Sequence, residues 1–154
     1  MGERIWTGED CNVNVYFDDG NGNRLNESGA DYDPNVDSPL LAYCYWQSVA
    51  ISGDLPMVRR PCTGRPRKRI VRDQYEYDAS VAHFVIRFAT EQDVLNIFNR
   101  EKCLQFEIEG IDVLYSKDPE KRILKMAYAR QFKITSQSSG NIEGSAEFWA
   151  EEFE

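Results

Sequence analysis

Alternation of apolar and polar residues with a period of two runs through most of this chain and restricts it to a β-rich fold. Val13, Val15 and Phe17 alternate with Asn12, Asn14 and Tyr16. Successive strand side chains point to opposite faces, so this pattern buries one face and wets the other. It recurs at Ala82, Phe84, Ile86 and Phe88, and at Leu104, Phe106 and Ile108, resuming after Gly110 at Ile111, Val113 and Tyr115. Leu124, Met126, Tyr128, Phe132 and Ile134 predict a long core-facing strand. Ile142, Ala146, Phe148 and Ala150 predict a last one, with Glu143, Ser145, Glu147, Trp149 and Glu151 outward. Residues 41–51 are apolar on both faces, which predicts a central strand. Residues 68–77 read as a further strand.

A single helix is predicted, roughly over 90–101. Thr90 is placed to cap the amide of Asp93, Glu91 and Asp93 suit the positive end of the dipole, and Val94, Leu95, Ile97 and Phe98 form an apolar stripe. Arg100 and Lys102 suit its C-terminal end. At 154 residues the chain is one domain, 1–154, large enough for a real core. About eight strands and one flanking helix make it mainly β, a sandwich or barrel.

Two segments interrupt the strands. Residues 18–39 are rich in Gly, Asn and Asp and predict a long acidic surface loop, part of which orders against a partner. Residues 53–66 contain Pro56, Pro61, Gly64 and Pro66, which exclude a regular central strand or helix. With the residues that follow they predict a protruding loop or ragged hairpin, a basic arm over 53–72.

That arm concentrates the positive charge. Arg59, Arg60, Arg65, Arg67, Lys68, Arg69 and Arg72 lie between positions 59 and 72 with no acid among them. Taking those seven from the eighteen Lys and Arg leaves eleven against 26 Asp and Glu, a formal charge of −15 for the remainder. A solvated loop would be the bland explanation. Charge separated this way also suits contact between copies, basic segment to acidic surface, or a grip on an external polyanion. An overall charge of −8 argues against nucleic-acid binding as the task of the whole surface. A local contact remains open, with Arg67, Lys68 and Arg69 on phosphates and Tyr75 and Tyr77 stacking on bases.

Enzyme chemistry finds little support. His83 is the only histidine and sits in an alternating strand, so base-plus-ligand constellations are hard to assemble. The sequence holds no GxGxxG, P-loop, HExxH or GxSxG motif. Asp18 with Asp19, and Asp31 with Asp33, are calcium candidates but lack EF-hand spacing; no cofactor or metal is expected. Cys11, Cys44, Cys62 and Cys103 form no CxxC pair and read as reduced thiols, with Cys44 and Cys103 buried and Cys62 exposed. No apolar run reaches the roughly 18 residues of a membrane span, and residues 1–6 predict no secretion signal. Glu107 with Glu109, and Glu143, Glu147 and Glu151, form acidic rows on strand faces, which meet either water or a basic partner.

Residues 82–153 run strand, short helix, strand, hairpin, with a Ser-Gly-Asn turn and then Asn141-Ile142-Glu143-Gly144-Ser145-Ala146-Glu147-Phe148. This stretch, about half the chain, resembles the closing part of the tail tube proteins of tailed bacteriophages, relatives of the secreted ring-forming Hcp proteins. The basic arm is similar in position to the loop by which one tube ring contacts the next. The resemblance implies a β-sandwich with a flanking helix, homo-oligomeric rings, commonly hexamers, and stacking into a tube. Sheets would join between subunits, other tail proteins would be partners, and DNA would pass without specific binding. It places the protein in the virion tail, made in the host cytoplasm. It makes the seven basic residues inter-subunit contacts and either glutamate row a lumen lining. The long loop 18–39 and the dense arginines depart from that pattern and leave open a tube-capping or baseplate ring component.

Overall fold

The computed structural model describes residues 4–54, 57–61, 68–72, 76–110, 121–138 and 140–154. Nine strands and one helix are present among them: β1 (Arg4–Asp18), β2 (Arg24–Leu25), β3 (Leu41–Asp54), β4 (Met57–Pro61), β5 (Lys68–Arg72), β6 (Glu76–Arg87), α1 (Glu91–Ile97), β7 (Leu104–Gly110), β8 (Lys121–Ser138) and β9 (Asn141–Phe153). The large sheet runs β2-β1-β3-β6-β9-β8-β7, and β7 also pairs with β1. Six strands therefore close into an antiparallel barrel, which answers the choice between sandwich and barrel and leaves the wall without a continuous free edge. β4 and β5 form a separate two-stranded sheet.

Each wall strand shows one face to a filled interior. Trp46 stacks on Phe148 with ring centroids 5.6 Å apart; Phe106 meets Phe148 at 4.7 Å; Phe84 stacks on Phe132 at 4.7 Å. Cys11, Val13, Val15, Leu104, Ile108 and Leu124 are fully buried around them.

The inward set switches parity along three strands, and here the alternation misleads. In β3 the buried residues are Cys44 and Trp46, then Val49 and Ile51. Ser48, at φ 54°, makes the switch. What reads as a strand buried on both faces is a strand that changes face. In β6 the register shifts between Val81 and Phe84, so Tyr77, Ala79 and Val81 face inward before the shift, and Phe84 and Ile86 after it. Ala82 is exposed, contrary to expectation, and so is Phe88, whose φ of 59° turns it out of the wall. In β8, Met126 at φ 52° passes the inward role from Leu124 to Ala127 and Ala129, so Met126 and Tyr128 do not hold the core places the sequence predicts. A one-residue slip flips every later side chain, which is how bulges bend strands around a narrow barrel.

α1 flanks the sheet at one end of the barrel, as a plug. β6 and β7 are not neighbours in the wall, so their connection must cross the end of the barrel, and α1 lies on it. The Thr90 hydroxyl accepts from the Asp93 amide at 3.2 Å, as the capping pattern predicts. The helix is shorter than expected. It ends at Phe98, whose ring enters the barrel and stacks on Phe132 at 4.6 Å. Arg100 and Lys102 therefore lie beyond the helix.

Candidate interaction surfaces

The basic arm leaves the barrel after Asp54 and rejoins it at Glu76. It is a hairpin with the register Met57↔Arg72, Val58↔Val71, Arg59↔Ile70, Arg60↔Arg69 and Pro61↔Lys68. The predicted strand over 68–77 is thus two separate strands, and Pro61 stands at a strand end, where a missing amide donor is tolerated. Five of the seven basic candidates, Arg59, Arg60, Lys68, Arg69 and Arg72, come together on this small sheet; Arg65 and Arg67 lie outside the described residues. One rung of this backbone register pairs Arg60 with Arg69. Of the two tyrosines considered for base stacking, Tyr77 is buried in the wall and so is not offered to a ligand; Tyr75 is not among the described residues. Cys62, and Ile111, Val113 and Tyr115, also lie outside them.

The loop over 18–39 is folded onto the chain's own wall. Asp18, 5% exposed, accepts the amides of Gly20 at 2.8 Å, Gly22 at 3.0 Å and Met126 at 3.3 Å. It also accepts the side-chain amide of Gln105 at 3.1 Å. Gln105 is buried on the outer side of β7, where the alternation predicts a wet position. It donates as well to the Gly22 carbonyl at 3.0 Å and accepts Arg24 Nε at 2.6 Å. Arg24 reaches on to Glu107 at 2.9 Å and lies over the Tyr16 ring at 4.2 Å. A buried carboxylate with four donors, joined to an amide and a guanidinium, ties the loop to the barrel. The signal for this strap was Gln105, a polar residue flanked by Leu104 and Phe106. Asp19 similarly takes the amides of Asn21 and Asn23, so both acids of that calcium candidate build turns. Among the described residues no three His, Cys, Asp or Glu side chains gather as a metal site.

The two acidic rows differ. Glu107 is engaged by Arg24 and, at 3.3 Å, by Lys121. Burial pushes its carboxyl up, but the Arg24 hydrogen bond and the two cations outweigh this and bring it below the usual carboxylate range. Glu109, next along β7, is half-buried. Glu143, Glu147 and Glu151 project from the outer face of β9 as the alternation predicts. Glu143 lies 3.8 Å from His83 and Glu147 3.6 Å from Arg130. Arg130 also covers the half-exposed Trp149 at 5.0 Å. Burial raises the Cys11 thiol to about 11 and the Cys44 thiol to about 12, so both are inert core residues. Cys103 is half-buried, outside the predicted strand core.

One stretch of wall is incomplete. β8 pairs with β9 along its length, but β7 reaches only as far as Ala127. Among the described residues no strand pairs with 128–138 on the side away from β9. Gln131, Lys133, Thr135, Ser136 and Gln137 there are exposed.

No family model matches the chain, and no curated protein matches it. Among solved structures, it is similar to a chain of the cryo-EM structure of the anti-feeding prophage (AFP) baseplate, 6-fold symmetrised, at 14% identity and a TM-score of 0.47, over 97% of this chain and 93% of that one.

Proposed function

We propose that this protein is a structural subunit that assembles with copies of itself into rings of a phage-type tail, forming the tail tube or a ring adjoining it. The observation that carries the reading is the separation of charge along the chain: seven cations within residues 59–72 against a formal −15 elsewhere, with five of the seven on the paired strands β4 and β5. The open side of β8 adds backbone donors and acceptors that a neighbouring strand would satisfy. The Asn141–Phe148 motif of the tube-like closing hairpin also has a structural reason here. A Cβ on Gly144 would collide with the Lys133 carbonyl and lie 2.8 Å from the Phe84 ring.

Of the two acidic rows, the one on β9 is the better lumen lining, because the Glu107 side chain is only 16% exposed and held by Arg24 and Lys121, whereas Glu143 and Glu147 are more open to solvent and each lies beside one more distant cation. Glu143, Glu147 and Glu151, repeated by ring symmetry, would repel passing phosphates rather than hold them. The reading needs no catalytic residue and no cofactor. Hexameric rings follow from the family resemblance alone.

The test is sedimentation of the purified protein at high concentration and low salt, with electron microscopy of the same sample. The expected result is species far above 17.8 kDa that appear as rings or short cylinders. A monomer under all these conditions overturns the reading. Tight binding of DNA near physiological salt would favour a nucleic-acid-binding module acting through residues 59–72 instead.

A further inference from the structure

At the plugged end of the barrel an open groove of about 530 Å³ lies between the loop 18–39, Phe88 and α1. Two large apolar residues on its rim stand almost wholly in solvent: Val36 is 79% exposed and Phe88 95%. Neither is loose. Phe88 holds a φ of 59°, a conformation that disfavours bulky side chains, and its amide donates to the Gly140 carbonyl at 2.6 Å. Val36 belongs to a turn in which its own amide and that of Asp37 donate to the Asp33 carbonyl at 3.1 and 2.7 Å. The Asp37 carboxylate in turn accepts the Asp33 amide at 2.9 Å. Glycine at position 88 would suit both that backbone and the water around it. A strained phenylalanine fixed in solvent beside a second fixed apolar residue points to a contact made with another molecule.

The groove also has a sign. Glu27, Asp37 and Asp93 line it, and no lysine or arginine does. Lys102 lies over the Phe17 ring at 5.7 Å but is not itself a lining residue. Among the described residues no cation is ion-paired with any of the three carboxylates. Such a field repels phosphates, so neither a nucleic acid nor an anionic lipid surface fits it. It complements a polypeptide that is both cationic and apolar. The volume accommodates a few side chains of one chain segment. Because the rim is held by its own hydrogen bonds, little ordering is needed on this side of the contact.

We infer that the groove beneath Val36 and Phe88 docks a single basic, apolar segment of a different protein. Apolar side chains of that segment pack on Val36, Phe88 and Ile97, and its cations face Glu27, Asp37 and Asp93. The contact is independent of self-assembly and uses no residue of the basic arm 53–72.

The probe that tests it is a short fluorescein-labelled peptide of alternating leucine and arginine, titrated with the full chain and read by fluorescence anisotropy. Saturable binding is expected. Counterparts with aspartate for arginine, or serine for leucine, should each bind roughly tenfold more weakly or worse. The variant F88G, whose glycine suits the positive φ, and the variant E27K should keep the wild-type circular dichroism spectrum. Each should weaken binding of the leucine–arginine peptide by about tenfold. E9K makes the same charge change at an exposed position of β1 and should bind the peptide as wild type does. The photo-crosslinking amino acid p-benzoylphenylalanine at position 88 should crosslink to the peptide. The inference is overturned if the wild type shows no saturable binding, or if F88G binds as wild type does. It is also overturned if E9K and E27K lose affinity equally, which is general attraction to an acidic surface, or if crosslinks from position 88 reach only a second copy of the chain. None of these outcomes touches the self-assembly reading, and a protein that stays monomeric leaves this inference standing.

Discussion

Single residues decide where this barrel can bend and what holds its longest loop. Gly144 is the least replaceable: any side chain there meets the Lys133 backbone carbonyl, which cannot rotate away. Gly144→Ala is expected to cost about 2–3 kcal/mol and to lower the melting temperature by on the order of 8 °C, measured by thermal unfolding. Glu107 is expected to give the loop strap an acid sensitivity. Its carboxyl is held below its ordinary range in the folded state. Its contribution is therefore present above the unfolded-state pKa, about 4.3, and is lost as pH falls through the lower folded value. Thermal unfolding between pH 7 and pH 2 should show wild type converging on Glu107→Gln at the acid end; parallel curves would refute this. The face of each β9 residue was legible in the sequence. The faces of Ala82, Met126, Tyr128 and Phe88 were not, because the bulges that change parity in β3, β6 and β8 turn on ordinary residues such as Ser48 and Met126. Non-glycine residues with positive φ carry no compositional mark.

At the scale of elements, α1 matters through one side chain more than through its seven residues. Phe98 stacks on Phe132 and approaches Phe106 and Phe148 within 6.2 Å. Phe98→Ala is expected to cost about 3–5 kcal/mol, whereas Thr90→Ala, which removes only the cap, should cost about 1 kcal/mol. Chemical denaturation of both variants checks the ratio; equal losses would show that the helix, and not the plug, is what stabilises this end. The N-terminal boundary of α1 was legible because capping is local chemistry. Its C-terminal boundary was not, because the end is set by where the barrel accepts the Phe98 ring. The same division explains the loop 18–39. Its turn-forming Asp and Asn residues could be read directly, but its anchor is Gln105, more than 80 positions away.

At the scale of the whole molecule, the charge pattern was fully legible and its spatial arrangement was not. Reversing Arg67, Lys68 and Arg69 to glutamate is expected to abolish or strongly weaken assembly while leaving the circular dichroism spectrum unchanged. Exposed charges contribute under about 1 kcal/mol to folding, whereas like charges forced together at an interface cost several. Normal assembly of this variant would remove the hairpin from the interface. DNA binding is expected to be weak and non-specific near 150 mM salt, because the formal −15 outside the arm opposes approach. A submicromolar dissociation constant in a fluorescence anisotropy titration would contradict that.

The double pairing of β1, with β3 on one side and β7 on the other, bears on how the protein is made. β1 is made well before its partners in β7, which follow about 90 positions later, a long loop to close before any contact between the two rewards it. Until then the nascent β1–β3–β6 sheet has two raw margins, each able to take a strand from a neighbouring chain. Slow folding, and yields that fall as synthesis outpaces closure, follow from that seam.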